Sequence, residues 1–310
     1  MKTIMLTSAG GLVGTYLIKH FRETTDYRIV AVDCNELCPA KLNADVFYLV
    51  PRVNEDGFAE KINQIFQVEN CDALIPVSSY DVKFFSENRE KFPMRLLIIE
   101  KELNNILNNK ETCYPYLNLI GINTPLIYKT TEEVVFPCVI KPKQSSGTKN
   151  TEVLFNIEDL DYYTKKFNNY LLCEFLEGDE YTVDCLFDWN GKALGYNPRQ
   201  RQKTVSGGSV ISRNSFSEDV REIIEAFEKT GKIIGPVNFQ YKRKNGVPII
   251  FDVNTRLPSG GLPLTVKSGF DIPNLMIRLL LQLSVDSWDR DESMDGLTMI
   301  RFYDELFIKS

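Results

Sequence analysis

Three polar residues end an apolar segment near the carboxyl end of the chain. In FDVNTRLPSGG, residues 251–261, Asp252, Asn254 and Arg256 alternate after the apolar run PIIF. Because side chains two residues apart on a strand share a face, we expect all three to point the same way. Carboxylate and amide oxygens suit Mg²⁺ or Mn²⁺, and an arginine beside them can offset charge on a transferring phosphoryl group. The alternative is the polar face of an edge strand, which explains one such residue better than three.

A lysine followed by a glycine-serine loop is a second candidate site. In VIKPKQSSGTKN, residues 139–150, Lys141 ends a predicted strand and the polar loop follows directly. Phosphate groups need cations and backbone N–H donors, and a loop of this composition offers both. A solvated lysine at the end of a strand is the alternative for this motif alone. The candidate phosphate contacts in the loop are Ser145, Ser146, Gly147 and Thr148.

A short acidic linker separates two predicted strands in CEFLEGDEYTVD, residues 173–184. Such a linker can present backbone N–H and C=O groups to the edge of an adenine, with an acid nearby for ribose hydroxyls. A β-turn with acidic flanks is the alternative interpretation. The linker is therefore a candidate nucleotide hinge.

Basic residues alternate along the predicted strand in NPRQRQKTVSGG, residues 197–208. Arginines and lysines in this pattern, together with an arginine at 213, can meet an anionic substrate. A solvated basic face remains the alternative. The candidate substrate contacts are Arg199, Arg201, Lys203, Arg213, Ser259 and Gly260.

The amino-terminal motif SAGGLVG, residues 8–14, follows the first predicted strand, and Asp33 ends the second. A glycine turn with a later acid is typical of NAD(P) binding in a Rossmann fold. The pattern here is AxGxxG, however, and similar turns occur in any doubly wound fold. We favour the structural role, and an NAD(P)-binding oxidoreductase or a nucleotide-sensing module remains the alternative from another class.

The elements that must position these residues change character along the chain. The first third alternates the predicted strands TIMLTS, RIVAVD, ALIPVSS and RLLIIE with the predicted helices TYLIKHFRE and DGFAEKINQIFQ, which indicates a parallel sheet covered by helices. Beyond about residue 110, predicted strands follow one another in segments such as EYTVDCLFDW, ALGYNPRQRQ, VNFQYKR and PIIFDVN, which indicates mostly antiparallel strands. We therefore place a domain boundary near residue 110.

Composition excludes several classes of function. The net charge of −6 and a pI near 5.2 argue against a general nucleic-acid or membrane-surface binder. The seven cysteines are odd in number and mostly lie in apolar runs, which indicates free thiols in a reducing, cytoplasmic compartment. The only histidine, His20, lies in a predicted helix, so we expect no Ser-His-Asp triad. Catalysis would then depend on lysine, arginine, acids and amides.

The order of the motifs resembles the ATP-grasp superfamily, and within it the branch similar to the carbamoyl-phosphate synthase large subunit. The resemblance covers nearly the whole chain and implies an α/β and α+β fold. It implies a Rossmann-like pre-ATP-grasp domain over 1–109 and an ATP-grasp domain over 110–310, with a small lid lobe at about 125–178 and a carboxyl-terminal lobe at about 179–310.

The resemblance also implies roles for individual residues. Lys110 and Lys141 would contact ATP phosphates, with Lys141 and Arg256 assisting phosphoryl transfer. The loop 145–148 would close over the phosphates. The remaining implied contacts are Glu174, Phe175 and Leu176 at the adenine hinge, Glu180 at the ribose, and Gln240, Asp252 and Asn254 at Mg²⁺. Asp252 stands where the family usually has glutamate, which shortens the carboxylate arm.

The implied activity is that of an ADP-forming ligase that activates a small-molecule carboxylate as an acyl phosphate and passes it to an amine or a thiol. A phosphotransferase that uses a hydroxyl acceptor on the same fold is the alternative. We expect neither a nucleic-acid nor a membrane partner, and a homodimer is compatible with the family.

The hairpin around Asn245-Gly246 tests the proposed metal site. A two-residue turn with regular pairing would set Phe239 opposite Asp252, so that Gln240 would face away from Asp252. A shared metal site requires a shift of one residue in the pairing. We therefore predict a three-residue loop, at 244–246 or 245–247, with Gly246 in the left-handed conformation and a bulge that shifts the pairing.

Overall fold

The structure is a computed structural model that describes residues 1–144, 150–205, 207–302 and 304–307. The amino-terminal part is a parallel sheet in the order β3-β2-β1-β4, flanked by helices. Its strands are β1 (Thr3–Thr7), β2 (Arg28–Asp33), β3 (Val46–Leu49) and β4 (Ala73–Pro76). Its helices are α1 (Leu12–Thr24), α2 (Ala40–Asn43), α3 (Phe58–Val68), α4 (Ser79–Glu87) and α5 (Lys101–Leu107). The predicted parallel α/β arrangement of this part is confirmed.

The strand predicted over RLLIIE, residues 95–100, is wrong. Residues 96–99 are buried, as their apolar character requires, but they pair with no strand. The Arg89 guanidinium donates hydrogen bonds to the carbonyls of Leu96 and Ile98, at 3.3 and 3.0 Å. A side chain therefore satisfies carbonyl groups that a neighbouring strand would otherwise bind.

A small antiparallel sheet follows, in the order β5-β8-β6-β7. Its strands are β5 (Ile127–Tyr128), β6 (Cys138–Pro142), β7 (Glu152–Leu154) and β8 (Tyr170–Glu174), and its neighbouring helices are α6 (Lys110–Leu119) and α7 (Ile157–Lys166). Side chains of the sheet and of α7 form a small apolar core. We refer to this sheet and α7 as the lid. The loop residues Ser145, Ser146, Gly147 and Thr148 lie outside the described residues.

The carboxyl-terminal part is an antiparallel sheet of six strands in the order β13-β12-β9-β10-β11-β14. Its strands are β9 (Tyr181–Phe187), β10 (Ala193–Val205), β11 (Gly208–Asn214), β12 (Gly235–Lys244), β13 (Val247–Asn254) and β14 (Thr298–Ile300). Its helices are α8 (Arg221–Thr230), α9 (Leu262–Lys267) and α10 (Ile272–Leu280). Short 3₁₀ helices lie at Arg89–Lys91, Thr131–Glu133, Glu218–Val220 and Glu292–Met294.

The amino-terminal sheet and the carboxyl-terminal part share one apolar core, which includes Leu17 from α1 and Ile277 from α10. His20 lies in this contact, and its Nε2 is 2.9 Å from a carboxylate oxygen of Asp271. The histidine therefore ties two elements together and lies outside the cavity described below. The division at residue 110 stays a prediction. No helix among the described residues is long and apolar enough to cross a membrane.

The β12–β13 hairpin has a regular turn and a bulge elsewhere. Asn245 and Gly246 have φ of 51° and 80°, which is a two-residue turn of the I′ kind, so the predicted three-residue loop is wrong. Pairing then skips Phe251, and Gln240 lies opposite Asp252. The predicted shift of one residue is confirmed, because a bulge at Phe251 brings Gln240 and Asp252 to one face.

Distant residues hold this bulge. The Phe251 carbonyl accepts a hydrogen bond of 2.7 Å from the Tyr114 hydroxyl of α6, and the Ile250 N–H donates 2.9 Å to the Asn123 carbonyl. Backbone groups that leave the ladder at the bulge are thereby satisfied, as buried backbone groups must be. The register of the candidate metal strand thus depends on the packing of α6.

Candidate active site

One cavity of about 950 Å³ lies between the amino-terminal sheet, the lid and the six-stranded sheet. The predicted site residues that line it are Lys110, Lys141, Glu174, Phe175, Leu176, Glu180, Arg199, Arg201, Gln240, Asp252, Asn254, Arg256, Ser259 and Gly260. Lys203 and Arg213 are exposed and do not line it, because irregular pairing after Arg201 breaks the alternation of β10 and Arg213 stands on the outer side of β11. The structure thus brings together residues from three parts of the chain.

A row of polar side chains crosses the six-stranded sheet at the floor of the cavity. Arg199 pairs with Thr182, Thr182 with Gln240, and Gln240 with Asp252. Residues opposite each other on neighbouring strands share a face, so these four side chains line up. Thr182 was not predicted. The signal was available, because acids and hydroxyls alternate at Glu180, Thr182 and 184 in the sequence.

The candidate metal ligands form a chain of contacts with two cations. Lys110 Nζ lies 2.9 Å from Asp252 Oδ1, and the Asn254 amide donates 2.8 Å to Asp252 Oδ2. Arg256 donates 3.3 Å to the Asn254 amide oxygen. Burial alone would raise the pKa of the Asp252 carboxyl, but the Lys110 ammonium, the Asn254 amide and the Lys141 ammonium together outweigh burial and hold that pKa below its usual value. The carboxylate is therefore ionised and already compensated.

The donor set fits part of a Mg²⁺ shell. Gln240, Asp252 and Asn254 offer one carboxylate and two amide oxygens at one cavity wall. In the parts of the chain that the structure describes, no group of three or more His, Cys, Asp and Glu is placed to hold a metal. Because Mg²⁺ is commonly held by one or two carboxylates with waters and substrate phosphates, these residues suit a metal that arrives with a nucleotide.

Lys141 is a buried cation, with 7% of its surface exposed. Its ammonium donates a hydrogen bond of 2.6 Å to the Tyr114 hydroxyl and lies 5.9 Å from the centre of the Phe251 ring. Burial lowers its pKa, and no carboxylate of the described residues lies within ion-pair distance of it. The charge of Lys141 is thus held by neutral groups, which leaves it available to an anion in the cavity.

The predicted hinge is joined to the neighbouring strand by two lysines. Lys242 donates 3.0 Å to the Leu176 carbonyl and stands over the Phe175 ring, and Lys244 pairs with Glu174. Sequence reasoning did not single out Lys242, although it continues the alternation through Gln240. The hinge is therefore fixed to the six-stranded sheet at the cavity edge.

Arg201 and Glu180 form an ion pair, with 2.8 Å between Nη1 and Oε1. Arg201 also donates 2.6 Å to the Gly207 carbonyl, while its buried Nε has no hydrogen-bond partner among the described residues. The predicted ribose acid and a predicted substrate arginine are thus neighbours. A change at either residue will affect the other.

Arg199 is almost fully buried and forms two hydrogen bonds, of 2.9 and 3.0 Å, to the Asp184 carboxylate. Its guanidinium also packs on the backbone of Gly261, where an added Cβ would lie 1.9 Å from it. The close approach explains why glycine follows Ser259 and Gly260 in the SGG turn. The structure places Arg199 as a clamp on this turn, which is a different position from that of a freely projecting substrate ligand.

The amino-terminal sheet supplies the remaining wall, of which the sequence singled out only residues 8–14 and Asp33, as the alternative NAD(P) site. Ser8 has a φ of 48° and donates 2.9 Å to the buried Asp81, and Arg256 donates 3.0 Å to the Ser79 hydroxyl. The turn that follows β4 thus contacts Arg256 beyond the metal strand, and Ser8 of the turn that follows β1 contacts α4 through Asp81. The wall residues are Ser8, Gly11, Leu12, Val13, Asp33, Val77, Ser78, Ser79 and Tyr80.

The glycines of SAGGLVG are explained by packing within the chain. A Cβ on Gly14 would lie 2.3 Å from the Ala9 carbonyl oxygen, and a Cβ on Gly10 would lie 2.9 Å from the Asp33 carboxylate. The tight contact between strand and helix requires glycine whether or not a dinucleotide binds. This contact favours the structural role of the motif.

Two family models match separate parts of the chain. Residues 166–301 match the family described as ATP-grasp in the biosynthetic pathway with Ter operon, and residues 4–111 match the PylC-like N-terminal domain. The chain is 21% identical to the carbamoyl phosphate synthase large chain of Buchnera aphidicola subsp. Acyrthosiphon pisum, over 94% of this chain and 31% of that one. It is 23% identical to carbamoyl-phosphate synthase of Methanobrevibacter smithii, over 53% of this chain and 47% of that one. The chain therefore spans less than half the length of these relatives.

A solved structure shares the fold. The biotin carboxylase domain dimer of 2-oxoglutarate carboxylase from Hydrogenobacter thermophilus, in complex with MgADP, ADP and bicarbonate, superposes with a TM-score of 0.73 at 16% identity. The match covers 94% of this chain and 72% of that one. The predicted fold, a Rossmann-like domain followed by two α+β lobes, is confirmed.

Proposed function

This chain belongs to the ATP-grasp superfamily, and from that premise we propose that it is an ATP-dependent, ADP-forming ligase that joins a carboxylate to an amine or a thiol. The observation that carries the proposal is the meeting of Lys110, Lys141 and the series Asp252, Asn254 and Arg256 at one cavity. Buried cations beside hard oxygen ligands are suited to phosphoryl transfer.

The nucleotide would lie between the lid and the six-stranded sheet. Hinge backbone groups of residues 174–176 would meet the adenine, and Glu180 would bind the ribose while it stays paired with Arg201. Lys141 would contact the phosphates, because its ammonium has no carboxylate partner among the residues described. Lys110 would share its contacts between Asp252 and the phosphates.

Gln240, Asp252 and Asn254 would hold Mg²⁺ or Mn²⁺, which would supply positive charge against the phosphate oxygens. This arrangement requires the Lys110 ammonium to give up part of its contact with Asp252. The Asn254 side chain is already oriented by Asp252 and Arg256. The protein thus preorders its ligands before the nucleotide enters.

ATP, when bound, supplies the γ-phosphoryl group. An oxygen of the substrate carboxylate forms a bond to the γ-phosphorus while the bond to the ADP oxygen breaks, which gives an acyl phosphate and ADP. The acceptor amine then attacks the acyl carbon, phosphate leaves, and the nitrogen loses a proton. Arg256, held by Ser79 and Asn254, would offset the charge that develops during the transfer. The cavity walls would keep water from the acyl phosphate.

We expect an ADP-release screen of carboxylates crossed with amines and thiols to find a pair that yields ADP, inorganic phosphate and a condensed product. Controls contain each partner alone. ADP without inorganic phosphate, together with a phosphorylated hydroxyl compound, would instead identify the phosphotransferase. NAD(P)H is the second control, because a ligand that binds the native state raises thermal stability. Stabilisation by NAD(P)H and none by ATP analogues with Mg²⁺ would reject the ligase.

A further inference from the structure

One acidic side chain on the amino-terminal wall of the cavity is not paired with any of the lysines and arginines that line the cavity. The acids that line the cavity are Asp33, Glu152, Glu174, Glu180 and Asp252. Glu174, Glu180 and Asp252 are each paired with a lysine or an arginine. Of the two others, Glu152 lies on β7 of the lid, and Asp33 ends β2 on the amino-terminal wall.

The Asp33 carboxylate is fixed in place. One oxygen accepts 2.7 Å from the Gly10 N–H and the other accepts 2.9 Å from the Asn35 N–H. No lysine, arginine or histidine of the described ranges lies within ion-pair distance of it. Each carboxylate oxygen can accept more than one hydrogen bond, so acceptor capacity remains toward the cavity.

Asp33 is the only charged residue among those that the amino-terminal sheet contributes to the cavity lining. Its neighbours on the wall include the apolar side chains of Leu12, Val13 and Val77. The lysines and arginines of the lining are instead on α6, on the lid, and on the six-stranded sheet and the segments that follow its strands. A carboxylate on this wall repels phosphate, and it favours a cation that has hydrocarbon beside it.

The amino-terminal wall adjoins the end of the cavity at which Arg256 lies. The hydroxyls of Ser8 and Ser78 are 3.3 Å apart, and Ser79 accepts a hydrogen bond from Arg256. The turn that holds Asp33 through Gly10 therefore adjoins the turn that touches Arg256. A small molecule that reaches from Arg256 along this wall can meet Asp33.

We infer that Asp33 receives the ammonium group of a substrate, and that this substrate is a small amine-bearing compound, such as an amino acid, with hydrocarbon next to the ammonium. The inference rests on the proposed function for placing a substrate at this end of the cavity. The contrasting role is structural: Asp33 would then serve only to hold the Gly10 and Asn35 N–H groups.

The test compares binding by the wild type and by Asp33→Asn. The probes are the L and D enantiomers of the standard amino acids. Each is compared with the carboxylic acid that lacks its amino group, in the presence of a non-hydrolysable ATP analogue and Mg²⁺. Thermal stabilisation is measured against ligand concentration. Asp45→Asn is the matched control, because Asp45 also accepts a backbone N–H, at 2.7 Å, but lies outside the cavity. Asp33→Glu keeps the charge and moves it by one methylene.

We expect at least one amino acid to stabilise the wild type at concentrations where its desamino acid does not. Asp33→Asn should weaken that apparent affinity at least about 10-fold, Asp33→Glu should weaken it less, and Asp45→Asn should leave it unchanged. The inference is overturned if Asp33→Asn responds like the wild type, if desamino acids bind equally well, or if no amino acid stabilises the wild type.

The same proteins separate this inference from the proposed function. Asp33-dependent binding without any ADP release would keep the inference and reject the ligase. The opposite outcome is ADP release that requires a carboxylate but not an amino group, and that is unchanged in Asp33→Asn. That outcome would keep the ligase and reject the inference.

Discussion

Replacing Asp252 with asparagine is expected to lower ADP formation at least about 100-fold while the chain stays folded. The carboxylate is the only acid among the proposed metal ligands, and asparagine keeps its shape but not its charge. Lys110, whose ammonium lies 2.9 Å from Asp252, would then repel the metal without compensation. Turnover is measured as ADP release over a range of Mg²⁺ concentrations, with circular dichroism as the test of folding.

Glu111→Gln is the matched control for Asp252→Asn. Glu111 pairs with Lys143 at 2.7 Å, and neither residue lines the cavity. We expect its turnover to match the wild type. Should Asp252→Asn keep wild-type turnover when Mg²⁺ is limiting, Asp252 is not a ligand and the proposed metal site is wrong.

Replacing Lys141 with methionine should have opposite effects on stability and activity. Methionine removes a buried charge that has no carboxylate partner among the described residues, so we expect the free energy of unfolding to rise by about 1–3 kcal/mol. ADP formation should fall at least about 100-fold, because the phosphates lose a cation inside the cavity. Urea unfolding and ADP release measure the two effects.

The gain in stability should depend on pH in a defined direction. Burial lowers the pKa of Lys141 in the folded chain, so the charged form is disfavoured there. The penalty is full below the folded pKa and disappears as pH rises toward the ordinary lysine value. The difference between Lys141→Met and the wild type should therefore shrink at high pH. Lys143→Met, at an exposed pair, should change neither measurement much, and a similar loss of ADP release in that variant would contradict a specific role for Lys141.

The residue pattern within one segment was enough to predict the elements in which a single segment supplies the whole buried or polar face. The buried run TIMLT became β1, and the polar alternation around Asp252 did bring Asp252, Asn254 and Arg256 to one cavity. The order of the motifs along the chain was enough to predict the ATP-grasp fold. These features depend on periodicity within one segment or on sequence order.

The features that failed depend on partners far away in the sequence. Residues 96–99 look like a strand, but Arg89 takes their carbonyls. The bulge at Phe251 is held by Tyr114, and it decides whether Gln240 meets the metal strand. A rule for hairpin turns could not locate it, because the turn itself is regular. Packing between segments, which no single segment encodes, decided these cases.

The contact between the amino-terminal wall and Arg256 was missed for a similar reason. Ser8, Ser78 and Ser79 carry no unusual composition. Ser8 meets Ser78 only because β1 and β4 are neighbours in the parallel sheet, and Ser79 then contacts Arg256. The prediction that the basic residues of β10 share one face extended too far along the strand, because Lys203 follows an irregularity in the pairing of β10. Alternation predicts a shared face only where the ladder is regular.

The most direct measurement of the central claim follows one oxygen atom. The carboxylate substrate found in the ADP-release screen is labelled with ¹⁸O, the reaction is run to completion with its acceptor, and the inorganic phosphate is analysed by mass spectrometry. Activation as an acyl phosphate predicts that each phosphate released with ADP carries one oxygen from the carboxylate. Phosphate without the label, formed together with the condensed product, would contradict the account.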